Sequence, residues 1–211
     1  MLELSFMWLI AAAFIFVIFF VPLTDKGTIG QQAIGAIVKG SRVGAKSTSR
    51  NGVEIDQNPQ ELADSAGLDL DTYAGARGIS SEEGNSPTAH QIGVAWVFLN
   101  NARYYSSTIF EYATDGSFGK QTGGVTSRPI STFEDPYEGH VAIMKGVLSG
   151  QIPDPTNGAR FFVAARTQDI LHNKYPDQYK SFDEVDSSRI ASGLKRVDVE
   201  GVDPSLLVFY A

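Results

Sequence analysis

The chain has 211 residues, 43% of them hydrophobic, and carries 24 acidic against 17 basic side chains for a net charge of −7. That is long and apolar enough for one domain with a buried core, which argues against disorder throughout, and the acidic balance excludes a strongly basic nucleic-acid surface. Without cysteine there is no disulfide, thiolate nucleophile or thiolate-bound zinc, and His90, His140 and His172 show no ligand spacing, so neither a metal nor another cofactor is expected.

Residues 4–21 read LSFMWLIAAAFIFVIFFV, about 18 residues with Ser5 as the one polar member, which meets the minimum for a bilayer-spanning helix. Pro22 ends the run. A secretory signal would begin with basic residues and end in a small-residue cleavage site, but only Glu3 precedes the run and Val21-Pro22-Leu23-Thr24 follows it. Residues 1–24 are therefore expected to be an uncleaved single-pass anchor that meets lipid through 4–21. Lys26, Lys39, Arg42, Lys46 and Arg50 all follow the span, and the positive-inside rule then turns the rest of the chain toward the cytoplasm. A periplasmic or virion-facing domain stays open as the alternative.

Residues 25–57 are rich in Gly, Ser, Gln and Lys with no sustained period, and read as a flexible tether. The folded domain is expected over 58–211. Asn58 caps a helix with Pro59 at its first position, ending near Gly67. Leu70, Tyr73, Ala74 and Arg77 fall at helical spacing over 69–81, and residues 90–102 form a third helix, apolar almost all round and therefore buried. A short helix over 107–113 precedes a glycine-rich loop at 115–124. Val141, Met144, Val147 and Leu148 mark one face of a helix over 137–148, stopped by Gly150. The turn-rich segment 153–158 and the aromatic pair Phe161-Phe162 come next. The chain then reads as a helix over 185–194 and as extended from 197 to 210. The sum is a mainly α domain with long loops.

The run Ala76-Arg77-Gly78-Ile79-Ser80-Ser81-Glu82-Glu83-Gly84 places carboxylates at the end of one helix, against the apolar helix at 90–102. A carboxyl group desolvated in that way is a candidate general acid. With Ala76-Arg77-Gly78-Ile79-Ser80-Ser81-Glu82, the helix Gln91 to Asn101 and Asp154-Pro155-Thr156-Asn157-Gly158-Ala159 before Phe161-Phe162, the chain resembles the SleB-like cell-wall hydrolase family, whose members show Ala-Arg-x-Ile-Tyr-x-Glu, Gly-Gln-x-Ala-Val-Ala-x-Val-x-Leu-Asn-Arg and Asp-Pro-Thr-Gly-Gly-Ala. The resemblance spans roughly residues 60–165, and three ordered motifs are more specific than any one. Ser80 stands where Tyr is usual, Glu83-Gly84 where Ala-Arg is, Asn101 where Arg is common and Asn157 at a Gly position, while 85–88 lengthen the loop. Matching Gly75-Ala76-Arg77-Gly78 to the family's Glu-Ala-Arg-Gly would instead leave the acid missing.

The resemblance implies a lysozyme-like or lytic-transglycosylase-like helical domain that binds peptidoglycan glycan strands and cleaves the bond between N-acetylmuramic acid and N-acetylglucosamine. Glu82 would then be the general acid and base, expected to pack against the helix at 92–98 where desolvation keeps it protonated, with the adjacent Glu83, pointing about 100° away, as its rival. Glu134 and Asp135 are second-acid candidates, or alternatively the cap of the helix at 137. Phe118 and Gln121 on the glycine-rich loop, Ser131, Thr132 and Phe161 are the expected substrate contacts. Tyr104 and Tyr105 serve either the same groove or the core, and Arg77 reads as a structural partner. An assembly subunit of a virion or envelope complex, keeping the fold for binding with little or no cleavage, is the alternative.

Overall fold

The structure, a computed structural model, describes residues 59–114 and 136–211. The expected anchor at 1–24, the tether at 25–57, the glycine-rich loop with Phe118 and Gln121, and Ser131, Thr132, Glu134 and Asp135 lie outside the described residues. Within them the chain is mainly helical with a small sheet: seven helices and three strands. No helix among the described residues is long and apolar enough to cross a membrane.

Helix α1 (Pro59–Ser65) ends where Gly67 turns left-handed at φ 66°, with the Leu68 amide donating back to the Ala63 carbonyl. This stop turns Leu68 onto Leu62, Ala63 and Tyr73, the hydrophobic contact that accompanies such caps. Helix α2 (Leu70–Glu83) opens at Asp69, whose carboxylate accepts the Thr72 amide at 2.8 Å and its hydroxyl at 2.7 Å. Residues 72–80 of α2 are all buried. Such a helix must be covered on every side, and it packs against α3 (Thr88–Tyr104), α4 (Ile109–Thr114) and α5 (Glu138–Leu148). Gly78 makes room for one of these contacts: a Cβ there would stand 2.7 Å from the Phe98 ring of α3.

The C-terminal part adds strand β1 (Phe161–Val163), helices α6 (Ala165–Lys174) and α7 (Phe182–Ala191), and strands β2 (Arg196–Val197) and β3 (Val208–Tyr210). The sheet order is β1-β3-β2, all antiparallel, with Phe162 opposite Phe209 and Arg196 opposite Tyr210. β3 is buried along its length and ties the sheet to the helical core through Phe209, whose ring occupies the space that any side chain on Gly93 would need.

The helices expected at 59–67, 69–81, 90–102, 107–113 and 137–148 are all present, with ends shifted by up to about three residues, which is ordinary fraying and capping. Two expectations are corrected. The last helix runs Phe182–Ala191 because Ser181 and Glu184 form a reciprocal capping box that starts it three residues before 185. The stretch 197–210 is extended only at its ends; Asp203 accepts the Ser205 amide and hydroxyl and folds the middle into turns.

Candidate functional site

The expected acid sits at the corner where α2 turns into α3. Glu82 occupies the last turn of α2 and is partly exposed, whereas Glu83, the next residue, is 8% exposed. Successive residues point about 100° apart around a helix, so only one of the two can face α3. That one is Glu83: its Oε2 stands 3.5 Å from Nδ1 of His90, which is 2% exposed in the first turn of α3. The carboxylate packed against the apolar helix is thus Glu83, and the one that keeps an open side is Glu82.

Gln91, fully buried beside His90, closes the corner. Its Nε2 donates to the carbonyls of Glu83 and Ser86, each at 3.1 Å, and so supplies partners to the carbonyl groups that the end of any helix leaves unsatisfied. The last turn of α2 carries no basic residue, so Glu82 faces the negative end of the helix dipole without a cation on its own turn. One face of the α2–α3 corner is therefore fixed by Gln91 and the Glu83–His90 pair, and Glu82 is held at its edge.

At the other end of α3, two asparagines organise the loop that follows α5. The Asn100 amide donates to Asp154 Oδ2 and to the Ala159 carbonyl, each at 3.1 Å, and Asn101 donates to the Arg160 carbonyl at 2.6 Å. Asp154 accepts the Thr156 amide at 2.8 Å, its hydroxyl at 2.6 Å and the Gly158 amide at 3.0 Å. The side chains of Asp154 and Thr156 are thus spent on shaping the loop. Asn157 and Gly158 both adopt left-handed backbone, at φ 50° and 80°. Asn is among the side-chain-bearing residues that tolerate this region best, which suits Asn157 to the turn.

The loop delivers Phe161 to β1, partly exposed, with the Arg160 guanidinium 5.5 Å and that of Arg189 5.1 Å from its ring centroid. Arg160 also lies 3.7 Å from the centroid of Tyr104, which is 62% exposed. Tyr105 instead packs on the core and stacks on Tyr112 at 6.4 Å, so it belongs to the interior. Arg77 is buried and donates to the Tyr73 hydroxyl at 2.8 Å, the structural role expected of it.

The corner and Phe161 are not neighbours. His90 contacts one and Asn101 the segment leading to the other, about 16 Å apart along the α3 axis. Two arrangements were not foreseen. The Glu83–His90 pair joins residues seven apart across a turn whose geometry no periodicity specifies. Arg189 lies on a helix that pattern alone marks only as surface. Among the described residues no cluster of three His, Asp or Glu side chains is placed to hold a metal ion.

By fold, then, the described residues form a mainly helical domain with a small antiparallel sheet laid against it. No protein-family model matches the chain, and no curated protein or solved structure shows significant similarity to it.

Proposed function

We propose that this chain is a membrane-anchored, peptidoglycan-cleaving protein whose domain is of the SleB-like, lysozyme-related kind, with Glu82 as general acid and base. The observation that carries the reading is that the three motif segments belong to one packed unit. α2, bearing Glu82, packs along α3, and the end of α3 grips the loop at 154–160 through Asn100 and Asn101. Of the two adjacent carboxylates, Glu82 is the one with the access that protonating a glycosidic oxygen requires.

In this mechanism the Glu82 carboxylic acid gives its proton to the leaving oxygen as positive charge develops on the muramic acid ring. The sugar's own 6-hydroxyl then attacks, and the Glu82 carboxylate takes up its proton, leaving an anhydro end and the acid restored. No second carboxylate is needed on that route. Residues 4–21 hold the domain at a bilayer, in an envelope or a virion. The test is mass spectrometry of muropeptides released from purified sacculi by the full chain in detergent, with Glu82→Gln and Glu83→Gln run beside it. Anhydro-ended products that persist in Glu83→Gln and vanish in Glu82→Gln are expected. Reducing ends would place water, and a second acid, in the reaction. The burial of Glu83 against His90 favours one further reading, a corner kept for structure in a subunit that binds wall without cutting it; sacculus binding with no products from any form would select it.

A further inference from the structure

On the face of the sheet opposite the helical core, β1, α7 and the residues flanking α7 border an open pocket of about 340 Å³. Its lining includes Phe161, Lys180, Ser188, Arg189 and Ser192, and no acidic residue contributes to it in a chain of net charge −7. Arg189 is partly buried and held by aromatic rings, 5.1 Å from the centroid of Phe161 and 5.4 Å from that of Tyr210. Its buried Nε–H meets no acceptor among the described residues. The nearest acid on its own helix, Asp186 one turn earlier, is committed elsewhere: it accepts the Tyr210 hydroxyl at 2.8 Å and Arg196 Nε at 2.6 Å. A guanidinium kept in place by stacking, short of acceptors and opening on a cavity that also holds a lysine and two hydroxyl-bearing residues, is built to receive an oxyanion. Its planar fork matches a carboxylate, and the Phe161 ring beside it suits a small apolar group next to that carboxylate.

We propose that the Phe161–Arg189 pocket binds the terminal carboxylate of a peptide ending in small residues, the chemistry of a peptidoglycan stem peptide. The choice of stem peptide rests on the function proposed above; the carboxylate specificity rests on the pocket. The subsite is distinct from the α2–α3 corner and shares no residue with it.

The experiment is calorimetric titration of the full chain in detergent micelles with N-acetyl-D-Ala-D-Ala, with its C-terminal amide and with inorganic phosphate. The same titrations are made on Arg189→Gln and Arg189→Lys, with thermal unfolding of each variant followed to confirm that it is folded. Loss of charged hydrogen bonds predicts that the amide binds about tenfold more weakly or worse, and that Arg189→Gln loses affinity for the acid by about ten- to a hundredfold. Arg189→Lys should recover part of that loss, and a tenfold excess of phosphate should not displace the dipeptide. Equal binding of acid and amide, an unchanged affinity in a folded Arg189→Gln, or displacement by phosphate would each overturn the proposal. If the dipeptide binds through Arg189 while the wild-type chain releases nothing from sacculi, the catalytic reading falls and the subsite stands; cleavage without dipeptide binding does the reverse.

Discussion

The helical core and the C-terminal layer are stabilised by different means. In α2, α3 and α5 most residues are buried, and positions such as Gly78 and Gly93 exist to admit a neighbour's ring. In α6 and α7 the only buried residues are Ala165 and Asp186. Those helices are fixed by side-chain hydrogen bonds instead: the Ser181–Glu184 box, Asp169 accepting the Phe182 amide at 2.8 Å, and Asp186 joining Tyr210 to Arg196. Apolar burial is non-directional and tolerates little loss of volume, whereas a polar clamp is directional and responds to pH. The outer layer's stability should therefore depend on pH in a way that the core's does not.

The largest effect should come from cutting the link between the two. Phe209 is fully buried between Gly93 and Phe162, so Phe209→Ala should cost about 3–5 kcal/mol by urea unfolding, as large aromatic truncations do. A cost under about 1 kcal/mol would mean that the sheet is not seated on α3.

Next comes the clamp. Asp186→Asn weakens two hydrogen bonds to one carboxylate and should cost about 1–3 kcal/mol near neutral pH. The hydrogen bond from Arg196, joined by that from Tyr210, outweighs burial and holds the Asp186 carboxyl below its ordinary value. A depressed carboxyl contributes stability that is complete above its unfolded pKa, about 3.9, and is lost as pH falls through the folded value. The gap between wild type and Asp186→Asn should therefore be constant at pH 5–7 and close below about pH 4. Burial, followed by Asp186, pushes the Tyr210 hydroxyl above its ordinary value, so the same layer should weaken as pH rises past about 10. Unfolding curves of both forms from pH 3 to 11 check both limbs.

The same contrast explains what could be read in the sequence. Five helices of the core were legible because buried helices write their burial into period and caps: Pro59 with Gly67, Asp69, the unbroken apolar run at 92–99, and Gly150. Helix α6 was not, because Ala165, Ile170 and Leu171 are its only apolar members and its single buried residue gives no period. β1 and β3 are three residues each and acquire their meaning only by pairing across the chain, Phe161 with Tyr210. At the candidate site the sequence located the corner and the presence of a carboxylate there. It pointed to Glu82 as the one packed against α3, and the structure puts Glu83 there instead, because the outcome depends on the rotational phase with which α2 meets His90 and Gln91. Nor could the sequence show that Asp154 and Thr156 are consumed in shaping their own loop.

The smallest effect sharpens the comparison most. Ser181 starts α7, accepting the Glu184 amide while the Glu184 carboxylate accepts the Ser181 amide and hydroxyl, and all of it is on the surface. Ser181→Ala should cost about 0.5–2 kcal/mol, the usual worth of such a cap. If the outer layer is coupled to the core through β3, that loss appears in global unfolding, because α7 carries Asp186 and hence the anchor of Tyr210. If the layer opens by itself, global unfolding is unchanged and only the amides of α7 exchange faster, by about the factor of 2 to 30 that such a free energy represents. Hydrogen exchange resolved by residue, set beside the denaturation curve, separates the two. The Tyr210–Asp186 hydrogen bond at 2.8 Å and the pairing of Val208–Tyr210 with both other strands favour the coupled outcome, with α7 and β3 losing protection together.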